Sequence, residues 1–115
     1  MSAYGPAVFI ARLDGSELSD AEQQQLVASV AAAARALAIR DDDGAPVAPR
    51  HYDYGEYEAK HVGVLIYSSY AYGEMPEEVQ QGEDEAWQEL GQNIAEAIEA
   101  AHPTTYSFKC YAVED

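Results

Sequence analysis

The chain has 115 residues, a length that fits one domain, residues 1–115, and leaves little room for a second. Its 21 Asp and Glu residues against 6 Lys and Arg residues give a net charge of −15, which disfavours direct binding to nucleic-acid phosphates or to an anionic membrane surface. A single cysteine, Cys110, excludes a disulfide within the chain, so the fold depends on its hydrophobic core or on a partner.

The first 40 residues predict a strand followed by a helix. Residues 6–13 are apolar and rich in β-branched and aromatic side chains, and an Asp-Gly pair ends them with a turn signal. Ser19 and Glu22 have the spacing of a capping box, in which the side chain of each accepts a hydrogen bond from the backbone N–H of the other. An apolar stripe with helical spacing continues to about Ile39; its members are Leu26, Val27, Val30, Ala33, Ala34 and Leu37.

The middle of the chain predicts two strands and two exposed loops. Residues 41–50 combine three adjacent aspartates with a glycine and two prolines, a composition that disfavours both a helix and a central strand. Residues 51–58 alternate tyrosine with charged residues, as edge strands do, and residues 60–70 form the most strand-like segment, apolar on both faces. Residues 71–82, with glycines and a proline among acidic residues, predict a second exposed loop with at most one helical turn.

The last third predicts a second helix and a fourth strand. Acidic residues 83–85 would lie at the positive end of the helix dipole, and Pro103 would end the helix. The apolar face of this helix is predicted to contain Trp87, Leu90, Ile94, Ala97, Ile98 and Ala101. Residues 106–113 alternate in character, which places Tyr106, Phe108, Cys110 and Ala112 on an inner face.

The element order β-α-β-β-α-β predicts an α+β fold, the ferredoxin-like sandwich. In that fold two helices cover one face of a four-stranded antiparallel sheet, and the first and third strands are central. The open face would carry Leu65, Tyr67, Tyr111, Val113 and one parity of the first strand, either Phe9 and Leu13 or Val8 and Ile10. A patch this apolar is expected to be shielded from water. It could be covered by a second copy in a homodimer, by a bound ligand or by a protein partner.

The strongest functional signal is the distribution of charge. Nine acidic residues and no Lys or Arg lie between Lys60 and Lys109. Such a segment suits docking on a basic surface, because opposite charge steers association and sets specificity. The alternative is that the acidity serves solubility alone. The acidic residues predicted to bind a partner are Glu74, Glu77, Glu78, Glu83, Asp84, Glu85 and Glu89.

Tyrosine supplies the second signal, because six of the nine tyrosines fall between residues 52 and 72. A tyrosine offers a rigid apolar ring and a polar tip, a combination common in recognition surfaces. The alternative is the ordinary preference of tyrosine for edge strands. The tyrosines predicted to bind a partner are Tyr52, Tyr54, Tyr57, Tyr70 and Tyr72.

Catalytic and cofactor signals are weak. The three histidines match no metal-ligand spacing, and residues 41–44 lack the ligand register of a calcium loop. Cys110 falls on the predicted core face, where a thiol is inert, and no glycine-rich phosphate-binding motif occurs. We therefore expect no catalytic residue, no metal and no cofactor.

Together these features predict a small, acidic, non-catalytic and cytoplasmic protein-binding module. Its expected partner is a basic protein such as a nuclease, which it would inhibit as an immunity protein or a nucleic-acid-mimicking phage-type inhibitor does. The N-terminus lacks a secretory signal, and no apolar run is long enough to span a membrane. The main alternative is a dimeric ferredoxin-like small-molecule-binding protein or enzyme that uses the open sheet face as a pocket.

Overall fold

A computed structural model describes residues 3–52, 60–69, 76–101 and 105–114. In chain order these form β1 (Tyr4–Arg12), α1 (Asp20–Ala36), β2 (Arg50–Tyr52), β3 (His61–Leu65), α2 (Glu77–Ala101) and β4 (Tyr106–Glu114). The strands pair antiparallel in the order β2-β3-β1-β4, so β1 and β3 are central. The predicted α+β fold with a four-stranded antiparallel sheet and two helices is confirmed.

Helix α1 begins where the sequence predicts. The Ser19 side chain accepts a hydrogen bond from the backbone N–H of Glu22 at 3.1 Å, which satisfies one of the unpaired donors of the first turn. The helix ends at Ala36, before the predicted Ile39, because Ala38 adopts a left-handed conformation with φ of 55°. Leu37 is consequently 45% exposed and does not belong to the buried stripe.

The register of the sheet decides which parity of β1 faces the helices. Val8 pairs with Val64 and Cys110, and these side chains share the face covered by the helices. Phe9 pairs with Gly63 and lies on the opposite face. The sequence leaves this choice open because both parities of β1 are apolar.

Helix α2 is longer than predicted, since it begins at Glu77 and includes residues 77–82 of the predicted exposed loop. The backbone N–H groups of Val79 and Gln80 donate to the carbonyl of Pro76, which closes the first turn. Acidic residues in this turn complement the positive end of the helix dipole. Residues 71–75 lie outside the described ranges, whereas residues 41–49 are mainly exposed, as predicted.

The two helices enclose one hydrophobic core against the sheet. Its buried members come from all layers and include Val8, Ile10, Leu26, Val30, Val62, Val64 and Ile94. Helix α2 approaches β4 closely at Gly91, where a Cβ atom would lie 2.3 Å from the Cys110 Sγ atom. The contact face of α2 is shifted from the predicted one: Gly91 and Ala95 are buried, while Ala97 and Ala101 are exposed.

Candidate functional site

The exposed side of α2 carries a row of carboxylates, which we call the acidic stripe. Its members are Glu78, Glu85, Glu89, Glu96 and Glu99, all exposed. Successive members are separated by seven, four, seven and three residues, spacings that keep them on one side of a helix. The opposite side packs on the sheet through Trp87, Gly91, Ile94, Ala95 and Ile98. At 1.5 Å per residue the stripe is about 31 Å long.

No basic side chain compensates the acidic stripe within α2, because residues 77–101 contain neither Lys nor Arg. An ion pair is formed elsewhere, between Arg12 of β1 and Glu22 of α1. Glu85 and Glu89 stand four residues apart, an arrangement of like charges that costs about 0.2–0.5 kcal/mol in a helix. Gln92 Nε2 donates to Glu96 Oε1 at 3.4 Å, which orients a carboxylate but does not neutralise it.

The remaining acidic residues of the prediction have other positions. Glu77 is exposed in the first turn of α2, and Asp84 is half-buried. The backbone of Glu83 belongs to α2, but its side chain lies outside the described part of the chain, as does all of Glu74. The structure thus places Glu78, Glu85 and Glu89 on one side of α2 together with Glu96 and Glu99. The last two also belong to the segment between Lys60 and Lys109 that lacks Lys and Arg.

The structure separates Tyr52 from the acidic stripe. Tyr52 lies on the sheet face opposite the helices, where its ring contacts Phe9 edge to face at a centroid distance of 6.2 Å. Its hydroxyl donates to the backbone carbonyl of Glu114 at 2.9 Å and so joins the two edge strands, β2 and β4. Tyr54, Tyr57, Tyr70 and Tyr72 lie outside the described residues. Helix α2 and Tyr52 therefore do not form one continuous surface.

The sheet face opposite the helices is only partly open. Leu65 is 1% exposed, and Val113 is half-buried. Tyr111 is half exposed and packs against Phe9, with ring centroids 5.5 Å apart. Gly63 makes room for the Phe9 ring, because a Cβ atom at position 63 would come within 2.9 Å of it. The aromatic cluster of Phe9, Tyr52 and Tyr111 is the main feature of this face.

Tyr67 is not part of that face, and its predicted position is wrong. Its hydroxyl accepts a hydrogen bond from Trp87 Nε1 at 2.9 Å, and the two rings meet edge to face. Trp87 belongs to α2, so Tyr67 packs on the helix side of the sheet. The alternation of strand side chains ends with β3 at Leu65 and does not extend to Tyr67.

A second polar cluster, which the sequence does not reveal, links β1, α1 and β4. Arg12 donates to both carboxylate oxygens of Glu22, at 3.2 and 2.5 Å, and the Tyr106 hydroxyl donates to Glu22 Oε2 at 2.6 Å. The hydrogen bonds from Arg12 and Tyr106 lower the pKa of Glu22. Burial and the bond to Glu22 raise the pKa of Tyr106. Because Arg12, Glu22 and Tyr106 hydrogen-bond one another, this cluster links β1, α1 and β4.

Two clefts flank α1. One, of about 480 Å³, is lined by His51 of β2 and by Asp20, Gln23, Gln24 and Val27 of α1. The other, of about 400 Å³, lies between the end of α1 and residues 46–49. Neither cleft borders the acidic stripe.

Two further observations concern the metal-binding and nucleophilic side chains of the described residues. In the described ranges no three His, Cys, Asp or Glu side chains are grouped so that they could hold a metal ion. Burial raises the pKa of Cys110, which keeps its thiol protonated and weakly nucleophilic. No helix in the described part of the chain is both long and apolar enough to cross a membrane.

Comparison with known proteins found no matching family model, no matching curated protein and no matching solved structure.

Proposed function

We propose that this chain is a small, non-catalytic protein-binding module that docks through the acidic stripe on a basic surface of another protein and inhibits it. The observation that carries the proposal is the stripe itself, five exposed carboxylates on one side of a helix that contains no Lys or Arg. A basic partner would relieve the mutual repulsion of these carboxylates, and the stripe would in turn attract the partner at long range.

The partner class that fits the stripe best is a protein that binds nucleic acid. Such proteins present Lys and Arg side chains to a row of phosphates, and a row of carboxylates about 31 Å long occupies the same kind of surface. A nuclease or another nucleic-acid-processing protein would be inhibited because the stripe and the nucleic acid compete for one site. This is the role of an immunity protein or of a phage-type inhibitor that mimics nucleic acid. We propose a cytoplasmic location, where a lone reduced cysteine is usual.

The proposal is tested by capturing the partner from lysate of the native host with a tagged chain. The stripe variant carries Glu78→Gln, Glu85→Gln, Glu89→Gln and Glu96→Gln. We expect the unaltered chain to capture one basic protein at low salt, to lose most of it at high salt, and to inhibit its nucleic-acid binding. The stripe variant should capture little at either salt concentration.

A matched control separates the stripe from net charge. Glu17→Gln, Asp20→Asn, Asp42→Asn and Asp43→Asn also remove four negative charges, from exposed residues outside α2. This variant should capture the partner nearly as well as the unaltered chain. Equal loss in both variants would show that net charge, and not the stripe, governs binding, and no captured protein at low salt would contradict the proposal.

We also propose the finer classification of the fold as ferredoxin-like. The element order β-α-β-β-α-β, the central positions of β1 and β3, and the packing of both helices on one sheet face support it. An experimental structure with a different sheet order would contradict this classification.

The second candidate function is a dimeric small-molecule-binding protein or enzyme that uses the sheet face opposite the helices. The aromatic cluster of Phe9, Tyr52 and Tyr111 is the observation that favours it. A symmetric dimer in sedimentation, together with a melting temperature that rises with one class of aromatic ligand, would support it. Under this function Tyr111→Ala abolishes the ligand-dependent shift, whereas the stripe variant retains it.

A further inference from the structure

The outer edge of β4 is available for pairing with another strand. Strand β4 lies at the edge of the sheet and pairs with β1 in an unbroken register over nine residues. The backbone N–H of Leu13 donates to the carbonyl of Thr105, which extends this register and shows that odd-numbered residues of β4 bond to β1. The alternate residues Phe108, Cys110 and Ala112 therefore direct their N–H and C=O groups away from β1. Within the described residues nothing pairs with these groups.

This edge has few of the features that protect edge strands from pairing. Proteins usually shorten such strands, interrupt them with a bulge or place several charges on them. The other edge strand, β2, has only three residues, whereas β4 has nine. Lys109 is the only charged residue in the stretch 106–113.

The edge also lies on the acidic side of the molecule. Helix α2 packs on β4 and β1, whereas α1 packs on β3 and β2. The close approach of Gly91 to Cys110 fixes α2 directly over the middle of β4. A strand added to β4 would therefore lie beside the helix that carries the acidic stripe.

We propose that an extended segment of the partner, rich in Lys or Arg, adds to the outer edge of β4 as a fifth strand. This inference rests on the proposed function and specifies how the basic partner is held. Main-chain hydrogen bonds to Phe108, Cys110 and Ala112 supply a specific register, and the basic side chains of the segment lie in the negative field of α2.

The charge of α2 also disfavours a second copy of this chain as the occupant of the edge. Pairing two β4 strands would place two α2 helices side by side, each with carboxylates and no cation. A basic segment meets no such repulsion and gains attraction instead.

The probe for this inference is a blocked peptide of alternating lysine and valine, Lys-Val-Lys-Val-Lys-Val, added to the full chain and followed by amide hydrogen exchange in NMR. In the free protein we expect the amides of Lys109 and Tyr111, which bond to β1, to exchange slowly, and those of Phe108, Cys110 and Ala112 to exchange quickly. We expect the peptide to slow exchange at the latter three by tenfold or more. The matched peptide with glutamate in place of lysine should have no effect.

Outcomes of this experiment distinguish the inference from the proposed function. If the lysine peptide perturbs only α2 and leaves exchange along β4 unchanged, pairing at the edge is overturned while docking through the stripe still holds. If the glutamate peptide slows exchange along β4 equally, the proposal that the added strand is basic is overturned. Concentration-dependent dimers whose β4 amides are protected without peptide would identify a second copy as the occupant and overturn the proposal.

A proline variant tests the edge directly. Ala112→Pro removes an outward N–H but leaves the hydrogen bonds of β4 to β1 in place, and proline is tolerated on edge strands with this orientation. We expect the affinity for the lysine peptide to fall by about tenfold, while Ala112→Ser, which keeps the N–H, binds as the unaltered chain does. Slow exchange at Lys109 and Tyr111 in Ala112→Pro verifies the fold, and undiminished peptide binding by that folded variant would overturn the proposal.

Discussion

At the scale of single residues, Gly91 determines how closely α2 can lie on the sheet. Only a residue without a side chain fits there, because a Cβ atom would meet both Sγ and Cβ of Cys110, at 2.3 and 2.8 Å. Gly82 belongs to the same helix but has nothing within 4 Å of the corresponding position. The two glycines therefore differ in their packing and share the same helical backbone.

We predict opposite effects of alanine at these two positions. Gly91→Ala should lower the free energy of unfolding by about 1–3 kcal/mol through overpacking. Gly82→Ala should raise it by about 1 kcal/mol, because alanine loses less backbone freedom in a helix. Urea unfolding measures both, and Cys110→Ala should recover part of the loss in Gly91→Ala. Equal effects at the two positions would contradict the close packing of α2 on β4.

Glu22 gives a second prediction, which depends on pH. Its pKa is lowered in the folded chain by hydrogen bonds from Arg12 and Tyr106, so its contribution to stability is fully present above the pKa of the unfolded state. The contribution is lost as the pH falls through the lower, folded pKa. Glu22→Gln should thus reduce the free energy of unfolding by about 1 kcal/mol near pH 7 and have little effect near pH 2.

The control for that prediction is Glu17→Gln, which removes the same charge from an exposed residue. Its free energy of unfolding should stay within about 0.5 kcal/mol of the unaltered chain over the whole pH range. A difference between Glu22→Gln and the unaltered chain that is the same at pH 7 and pH 2 would contradict the assigned hydrogen bonds.

At the scale of elements, the sequence predicts the features that depend on residues close together in the chain, such as helix starts and the alternation of side chains along a strand. Ser19 starts α1 as its capping spacing indicates, and the alternation in residues 106–113 places Phe108 and Cys110 toward the core. The position of Tyr67 is missed because pairing with neighbouring strands, which the sequence does not display, ends β3. The Glu22 cluster is missed for a related reason, since Tyr106 lies 84 residues away in the chain.

The composition of residues 77–101 indicates an acidic helix without Lys or Arg. The arrangement of its carboxylates as one stripe depends on where the helix begins. A start at residue 83 would leave Glu78 in a loop, whereas the observed start at Glu77 places it on the same side as Glu85. The stripe therefore includes Glu78, a residue that the sequence places in an exposed loop.

If the stripe is kept for binding, it should not be needed for stability. Glu89→Lys replaces a repulsion with Glu85 by an attraction, and we expect it to raise the free energy of unfolding by about 0.5 kcal/mol at low salt. The difference should shrink at 1 M salt because of screening. Urea unfolding at both salt concentrations measures this difference. A loss of stability in this variant would instead show that the carboxylates stabilise the fold.

At the scale of the whole molecule, the two faces of the sheet have different characters. The helix side carries the acidic stripe, and the opposite side carries the aromatic cluster together with exposed Arg50 and Lys109. Under the proposed function, this asymmetry would attract a basic partner in one orientation, with α2 toward it. Neither the stripe nor the outer edge of β4 requires the aromatic cluster, so Tyr111→Ala should leave partner binding unchanged.

The most direct test of the central claim is the association rate constant with the captured partner, measured from low to high salt for the unaltered chain, the stripe variant and the control variant. We predict that the stripe variant associates at least about tenfold more slowly at low salt, and that the three rates converge at high salt. A stripe variant that associates as fast as the unaltered chain at low salt would contradict docking through α2.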